Sequence, residues 1–296
     1  MKIFLLGLIL IFPFVSCFGQ EEDDLMKLLG DEKPRKEKVY NAFKSSRVIM
    51  SQSMEMLRPG VLDFRILHRF GRLNGGAYEL FGLDGPATVR LGLDYGVSDF
   101  LTLGIGRSTT KKELDATAKL RIIHQSTGKG AMPFSLVIVG GGAMNGLKNM
   151  DTSVKHYFTS RLAYYGQLII GRKFSDNFTL QFMPAVVHMN LVPATKDDND
   201  LLAAGVGARM KLTKRISLNA DFYYVANPFT SSIRYHPFSL GFDFETGGHV
   251  FQLHFTNAKG MNERAFIADT DYNWGKGDIM FGFNISRSFQ LKKKKL

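Results

Sequence analysis

Residues 279–291 read IMFGFNISRSFQL. Ile279, Phe281, Phe283, Ile285, Phe289 and Leu291 share one face, while Gly282, Asn284, Ser286, Ser288 and Gln290 share the other. A period of two is that of a strand with one apolar and one polar side, because successive side chains of extended backbone point oppositely. The same alternation recurs from about residue 60 onward, in segments of about ten residues, long enough to cross a bilayer at a tilt of roughly 45°. The chain therefore reads as all-β: a transmembrane, up-and-down antiparallel β-barrel.

Moving outward from that strand, the first segment sets Leu62, Phe64, Ile66, His68 and Phe70 against Asp63, Arg65 and Arg69. The second sets Val89, Leu91, Leu93 and Tyr95 against Arg90, Gly92 and Asp94; the third presents Leu101, Leu103 and Ile105; the fourth sets Ala116, Ala118, Leu120 and Ile122 against Asp115, Thr117, Lys119 and Arg121. Residues 132–141 are more uniformly apolar and leave their register open, and a sixth segment spans 157–171. In the seventh, Phe178, Leu180, Phe182 and Val186 oppose Thr179 and Gln181, and Pro184 within it predicts a bulge or kink, since it removes a ladder donor. Alternation at 202–212, 216–224, 238–245 and 251–256 completes a count of about twelve strands. Short links (96–99, 172–177, 213–215, 246–249, with 125–131 somewhat longer) alternate with longer ones (71–86, 144–156, 189–200, 226–236, 257–277), 108–113 being the shortest of these. Outer-membrane barrels alternate periplasmic turns and outer loops in this way, and an even count puts both ends of the barrel on the periplasmic side.

No apolar run in the body of the 296 residues reaches the ~20 that a membrane helix requires. The one continuous apolar run follows Lys2, from Ile3 to Val15, and reads as an export signal over residues 1–19. Small residues Cys17 and Gly19 suit ordinary cleavage before Gln20, whereas Cys17 after Val15 and Ser16 suits a lipoprotein anchor; both readings stand. Under the first, no cysteine is left for disulfides, thiol catalysis or metal ligation. Residues 20–58 carry acidic and basic runs around a short amphipathic piece, and read as a periplasmic N-terminal segment; folding into the barrel as a plug is the alternative. The barrel then covers 59–291, and 292–296 form a basic periplasmic tail, Lys292 to Lys295, that can meet anionic headgroups. A net charge of +11 and a pI near 9.6 would suit nucleic acid in a cytosolic chain, but export argues against that partner.

Residues 96–106 (GVSDFLTLGIG) look like the turn-and-strand unit of Gram-negative outer-membrane barrels. Residues 62–71 (LDFRILHRFG) are similar to the opening strand of an uncharacterised family of Bacteroidota outer-membrane or secreted β-barrel proteins, a likeness that extends from about residue 40 to the end. That resemblance implies fold and outer-membrane location, with no activity or functional residues attached. The final strand, with Gly282, Ile285 and Phe289, resembles the signal by which the barrel-assembly machinery recognises its clients, although the chain continues past Phe289 and Arg287 stands at a usually apolar position.

The expected lumen-facing residues are Arg65, Arg69, Arg90, Asp94, Lys119, Arg121, Arg161, Arg209, Lys211, Asp221, Asp243 and Glu245, with basic groups slightly in excess. Such groups can line a water path or pair across it and close it. The expected function is a narrow, weakly anion-preferring channel or transport component for small solutes. The alternatives are a non-conducting anchoring barrel and a lipid-binding barrel. Partners are expected to be outer-membrane lipids, the assembly machinery through the last strand, and proteins through the outer loops or the N-terminal segment.

An outer-rim lipid hydrolase would need a Ser–His pair, for which His124 with Ser126, and His254 with Thr256, are weak candidates, so no enzymatic activity is expected. Scattered histidines predict no metal site, Asp197, Asp198 and Asp200 lack the glycine and glutamate of a calcium loop, and Gly140, Gly141 and Gly142 precede no phosphate-loop lysine. No cofactor is expected. Trp274, Tyr272, Tyr223, Tyr224 and Tyr235 are placed near strand ends as an aromatic girdle.

Overall fold

The computed structural model describes residues 36–148, 155, 157–247 and 249–291. The export signal, Cys17, residues 20–35 and the tail from Lys292 lie outside the described residues. Twelve strands close into one antiparallel barrel: β1 Val61–Arg72, β2 Thr88–Ser98, β3 Leu101–Ser108, β4 Leu114–Ile123, β5 Ser135–Met144, β6 Leu162–Lys173, β7 Phe178–Met189, β8 Asp200–Lys211, β9 Ile216–Val225, β10 Phe238–Thr246, β11 His249–Thr256 and β12 Met280–Gln290. Each pairs with its neighbours in chain order and β12 pairs back onto β1, so no sheet edge is left open.

The alternation read from the sequence sets the two faces. On β1, Asp63, Arg65, Leu67 and Arg69 are buried inside, while on the outside Leu91, Leu93, Ile105, Phe182, Val206 and Phe242 form an exposed apolar belt. A one-residue slip in any strand would exchange these faces, so burial of one face fixes the register. Two elements differ from the sequence expectation in extent: β5 starts at Ser135 rather than 132, and β6 starts at Leu162, with a single 3₁₀ turn over Phe158–Arg161 before it.

Pro184 causes no bulge. Its pairing with β8 runs on without a shift, and on the β6 side the ladder lapses between Gln167↔Ala185 and Ile170↔Phe182, then resumes in the same register. The missing donor is absorbed locally. Register shifts fall instead at Gly96/Ser98, Arg121/Ile123 and Met280/Gly282.

The N-terminal segment departs from the periplasmic reading and follows the alternative of a plug: over most of 42–56 it is buried inside the barrel rather than beside it. It is anchored at the short-turn end, where Glu37–Lys38 pairs with Ser126–Thr127. It reverses within the lumen through a tight turn in which Val48 N–H donates to Ser51 O at 2.9 Å, and it returns to β1 where Gly60 N–H donates to Gly96 O at 2.8 Å. From the long-loop end the β11–β12 connection also folds inward, forming the helix α1 Glu263–Asp269 with Asn262 as N-cap, its side chain accepting from Ala265 N–H at 2.8 Å. Gln52 N–H donates to the Glu263 carboxylate at 3.2 Å, so the two segments meet inside.

The barrel core is therefore built of three parts. Val137, Val139, Ile169, Met183 and Val187 from the β5–β7 wall pack with Val48, Met50 and Met54 of the segment and Phe266 and Ile267 of α1. This explains the uniform apolarity of β5: its inward positions face a protein core rather than water.

Candidate functional site

The lumen filling is held chiefly by wall side chains bonding to segment backbone. Asp221, fully buried on β9, directs Oδ2 into the turn at residues 48–51. That single oxygen accepts N–H bonds from Ile49 (3.3 Å), Met50 (3.0 Å) and Ser51 (2.9 Å), and the Ser51 hydroxyl at 2.8 Å. Convergent backbone N–H groups make an anion-binding concavity, here filled by the protein's own carboxylate. Arg47 Nη1 closes the turn by donating to Met50 O at 2.8 Å.

Three amides bond further groups of the segment backbone. Gln181 accepts from Met54 N–H at 2.9 Å and donates to Gln52 O at 2.8 Å, Gln252 donates to Val48 O at 2.5 Å, and Asn284 donates to Ile49 O at 3.1 Å. Uncharged, these amides do not stand out in the sequence as the lumenal Arg, Lys and Asp do, although their inward parity is legible there.

The expected lumen residues fall into three groups. Six touch the segment: Arg65 donates to Ser46 Oγ at 2.9 Å, Lys119 to Glu55 O at 2.5 Å, Arg121 to Met54 O at 3.1 Å and Arg209 to Ala42 O at 3.3 Å, Glu245 pairs with Lys44 at 2.5 Å, and Asp221 caps the turn. Four bond along the wall: Arg90 is bidentate on Asp115 at 2.8 and 2.5 Å, Asp94 lies 3.9 Å from Arg65, Asp243 accepts from Gln252 at 2.6 Å, and Arg69 donates to Asn284 at 3.0 Å. The remaining two sit at the rims. Arg161 stands at the loop end, donating to Asn145 O and Leu147 O, and Lys211 is half-buried at the turn end of β8. Salt bridges thus run mostly along the wall, and chain, rather than cross-lumen ion pairs, fills the space.

Other residues singled out from the sequence have separate roles. His124 Nε2 bonds Val39 O at 2.7 Å with Tyr40 edge-on at 5.0 Å, while the Ser126 hydroxyl accepts from Met132 N–H at 2.9 Å. His254 is buried in the lumen between Gly241 and Gly282, and the Thr256 hydroxyl is engaged with Ser239 at 2.8 Å. Asp197 ties two loops together through Thr230 N–H at 2.8 Å and Ser231 N–H at 3.0 Å, Asp198 meets Asn227 at 3.5 Å, and Asp200 meets His188 at 2.8 Å. Tyr223 is not a girdle residue: it points inward, fully buried, with its ring 5.0 Å from Phe266. Trp274 packs edge-on against Phe238 at 4.7 Å.

A concavity of about 670 Å³ lies on the outward surface rather than in the lumen, where Ala116 and Gly142 sit between Leu91, Ile105 and Tyr164. Apolar outside, closed, and filled from both ends, the fold is that of a twelve-stranded antiparallel barrel whose outer surface suits a membrane.

The chain belongs to the family described as "Membrane bound beta barrel domain (DUF5777)", which matches residues 43–289 and so includes most of the lumen-filling segment. Among solved structures it is similar to the NanC porin (10% identity, 78% of this chain and 100% of that one, TM-score 0.48). It is similar also to the KdgM porin (9% identity, 77% and 99%, TM-score 0.47) and to an outer membrane channel from Pseudomonas putida F1 (12% identity, 80% and 98%, TM-score 0.47). At such identities the likeness concerns the fold alone. No curated protein matches the chain.

Proposed function

We propose that this protein is a gated transport component for small solutes in the outer membrane of a Gram-negative, Bacteroidota-type bacterium. In the resting form the path is closed by residues 42–56 from the periplasmic side and by α1 from outside. The observation that carries this reading is how the segment is held. The backbone of residues 42–56 is bonded by wall side chains, among them Asp221, Gln181, Gln252 and Asn284, and not by the barrel ladder, so this stretch can leave without breaking a strand pair of the barrel. Behind it stands a wall carrying Arg65, Arg69, Lys119, Arg121 and Arg209, which suits a water path with an anion bias.

Planar-bilayer recording of the refolded full chain, beside D221A and D221A/Q181A variants, tests this. Low or flickering conductance in the full chain, rising and anion-selective in the variants, supports gating. Silence in all three, with each demonstrably folded and inserted, sinks the transport reading. A non-conducting anchoring barrel is the second reading, favoured by the apolar packing of Met50 and Met54 against Val139, Ile169 and Met183.

A further inference from the structure

At the long-loop end, a cavity of about 240 Å³ opens between the β3–β4 connection, the start of β6, the loop after β7 and α1. One side is charged, with Lys111, Arg161, Arg234, Arg264, Glu113 and Asp269 on its lining. The other is apolar, formed by Met189, Leu191, Val192 and Pro193. Arg264 is already met by Glu113 and by Asp269 at 2.6 Å, and Lys111 by Asp269 at 2.8 Å.

Arg234 differs. Its guanidinium donates to the carbonyls of Ala268 (3.0 Å) and Ile233 (3.1 Å), and the carboxylate whose field it shares, Asp269, is already bonded by Arg264 and Lys111. A half-buried cation bonded only to carbonyls, beside an apolar wall, keeps a charge that a single anion can meet. At ~30 Å³ per water the cavity of about 240 Å³ holds roughly eight waters, room for a small organic molecule.

We propose that this cavity is a binding site for a small amphipathic monocarboxylate, its carboxylate on Arg234 and its apolar body against Met189, Leu191, Val192 and Pro193. This deepens the transport reading, on which it rests, by naming the solute class that meets the protein from outside. Because Lys111, Arg264 and Asp269 line the same cavity, an anion seated there also shares the cations that hold α1 to the wall.

The test is isothermal titration of the refolded full chain in non-ionic detergent with benzoate, benzylamine and benzyl alcohol. Saturable binding of benzoate alone is expected, weakened about tenfold or more in R234Q by loss of a charge-assisted bond. Leu191 is exposed, so L191E leaves the fold intact while setting a repelling carboxylate at the cavity, and it should weaken benzoate binding similarly. Folding of each variant is read from its heat-modifiable gel mobility, and if R234Q fails to fold, L191E decides. Benzylamine binding as well as benzoate, no saturable heat, or unchanged affinity in the folded variants overturns the site. Binding is measured without a membrane, so a chain that binds benzoate yet never conducts loses the transport reading and keeps this site, whereas a conducting chain that ignores benzoate does the reverse.

Discussion

Asp221 Oδ2 on β9 accepts both the backbone N–H of Ser51, at 2.9 Å, and the Ser51 hydroxyl, at 2.8 Å, across 170 residues of sequence. This contact fixes how far the N-terminal segment reaches into the barrel. D221A leaves three N–H groups without their acceptor in a buried site, at a cost of about 3 kcal/mol. Urea unfolding in detergent should show that loss, and trypsin should cut faster after Arg47 while strand content is retained. Unchanged cleavage would show that the turn is held by packing alone.

On the other side of the lumen, α1 is latched by Arg264, whose guanidinium is shared between Glu113 and Asp269. R264M strands buried Glu113 and should destabilise the barrel by about 3–5 kcal/mol. Adding E113Q removes the orphaned charge and should recover much of it. Thermal unfolding of the three proteins measures the coupling, and simple additivity would argue against a paired latch.

His124 makes the anchoring of the segment dependent on pH. Burial, and then the nearby Arg121 charge, hold its imidazole below the ordinary histidine range, with Lys38 and Asp99 as lesser neighbours and the Val39 carbonyl opposing. A depressed histidine favours the neutral ring in the folded state. Its contribution is therefore complete above the unfolded value of ~6.5 and is lost as pH falls from there through the folded value. Hydrogen exchange at residues 37–40, corrected for intrinsic rate, should quicken between pH 7.5 and 5, and H124Q should flatten that response. An equal pH profile in the two proteins would count against the anchor.

Gly140 and Gly141 are adjacent on β5 and should respond oppositely to alanine. A Cβ on Gly141 would strike the Tyr165 ring and the Ala116 carbonyl, whereas one on outward-facing Gly140 meets nothing within 4 Å. G141A should cost about 1–3 kcal/mol by overpacking, and G140A should be neutral or stabilising by about 0.5 kcal/mol through reduced unfolded-chain entropy. Unfolding midpoints of the two variants decide it.

Alternation alone made the strands legible, because a wall that separates two environments must change polarity every residue. It placed Arg65, Arg90, Asp115 and Arg209 inward and Leu91 and Phe182 outward from single residues. It erred where the signal was weak or non-local. Tyr223 resembles a girdle residue by type and by its place near a strand end, yet strand parity turns it inward, and β5 is ambiguous because Val137 and Val139 face a core.

The segment at 42–56 shows why parity stops there. Its Ser, Arg, Met and Gln residues have no period, and each of its bonds to Asp221, Gln181, Gln252 and Asn284 spans more than 120 residues. Nothing local distinguishes such a stretch from a soluble linker. Alternation along the chain is enough to specify a closed barrel of about twelve strands and most of its inward residues, since burial of one strand face recurs at every second residue. That the interior is filled emerges from the folded chain alone, because which backbone donors meet a lumenal carboxylate depends on chain closure in space, and alternation carries no record of it.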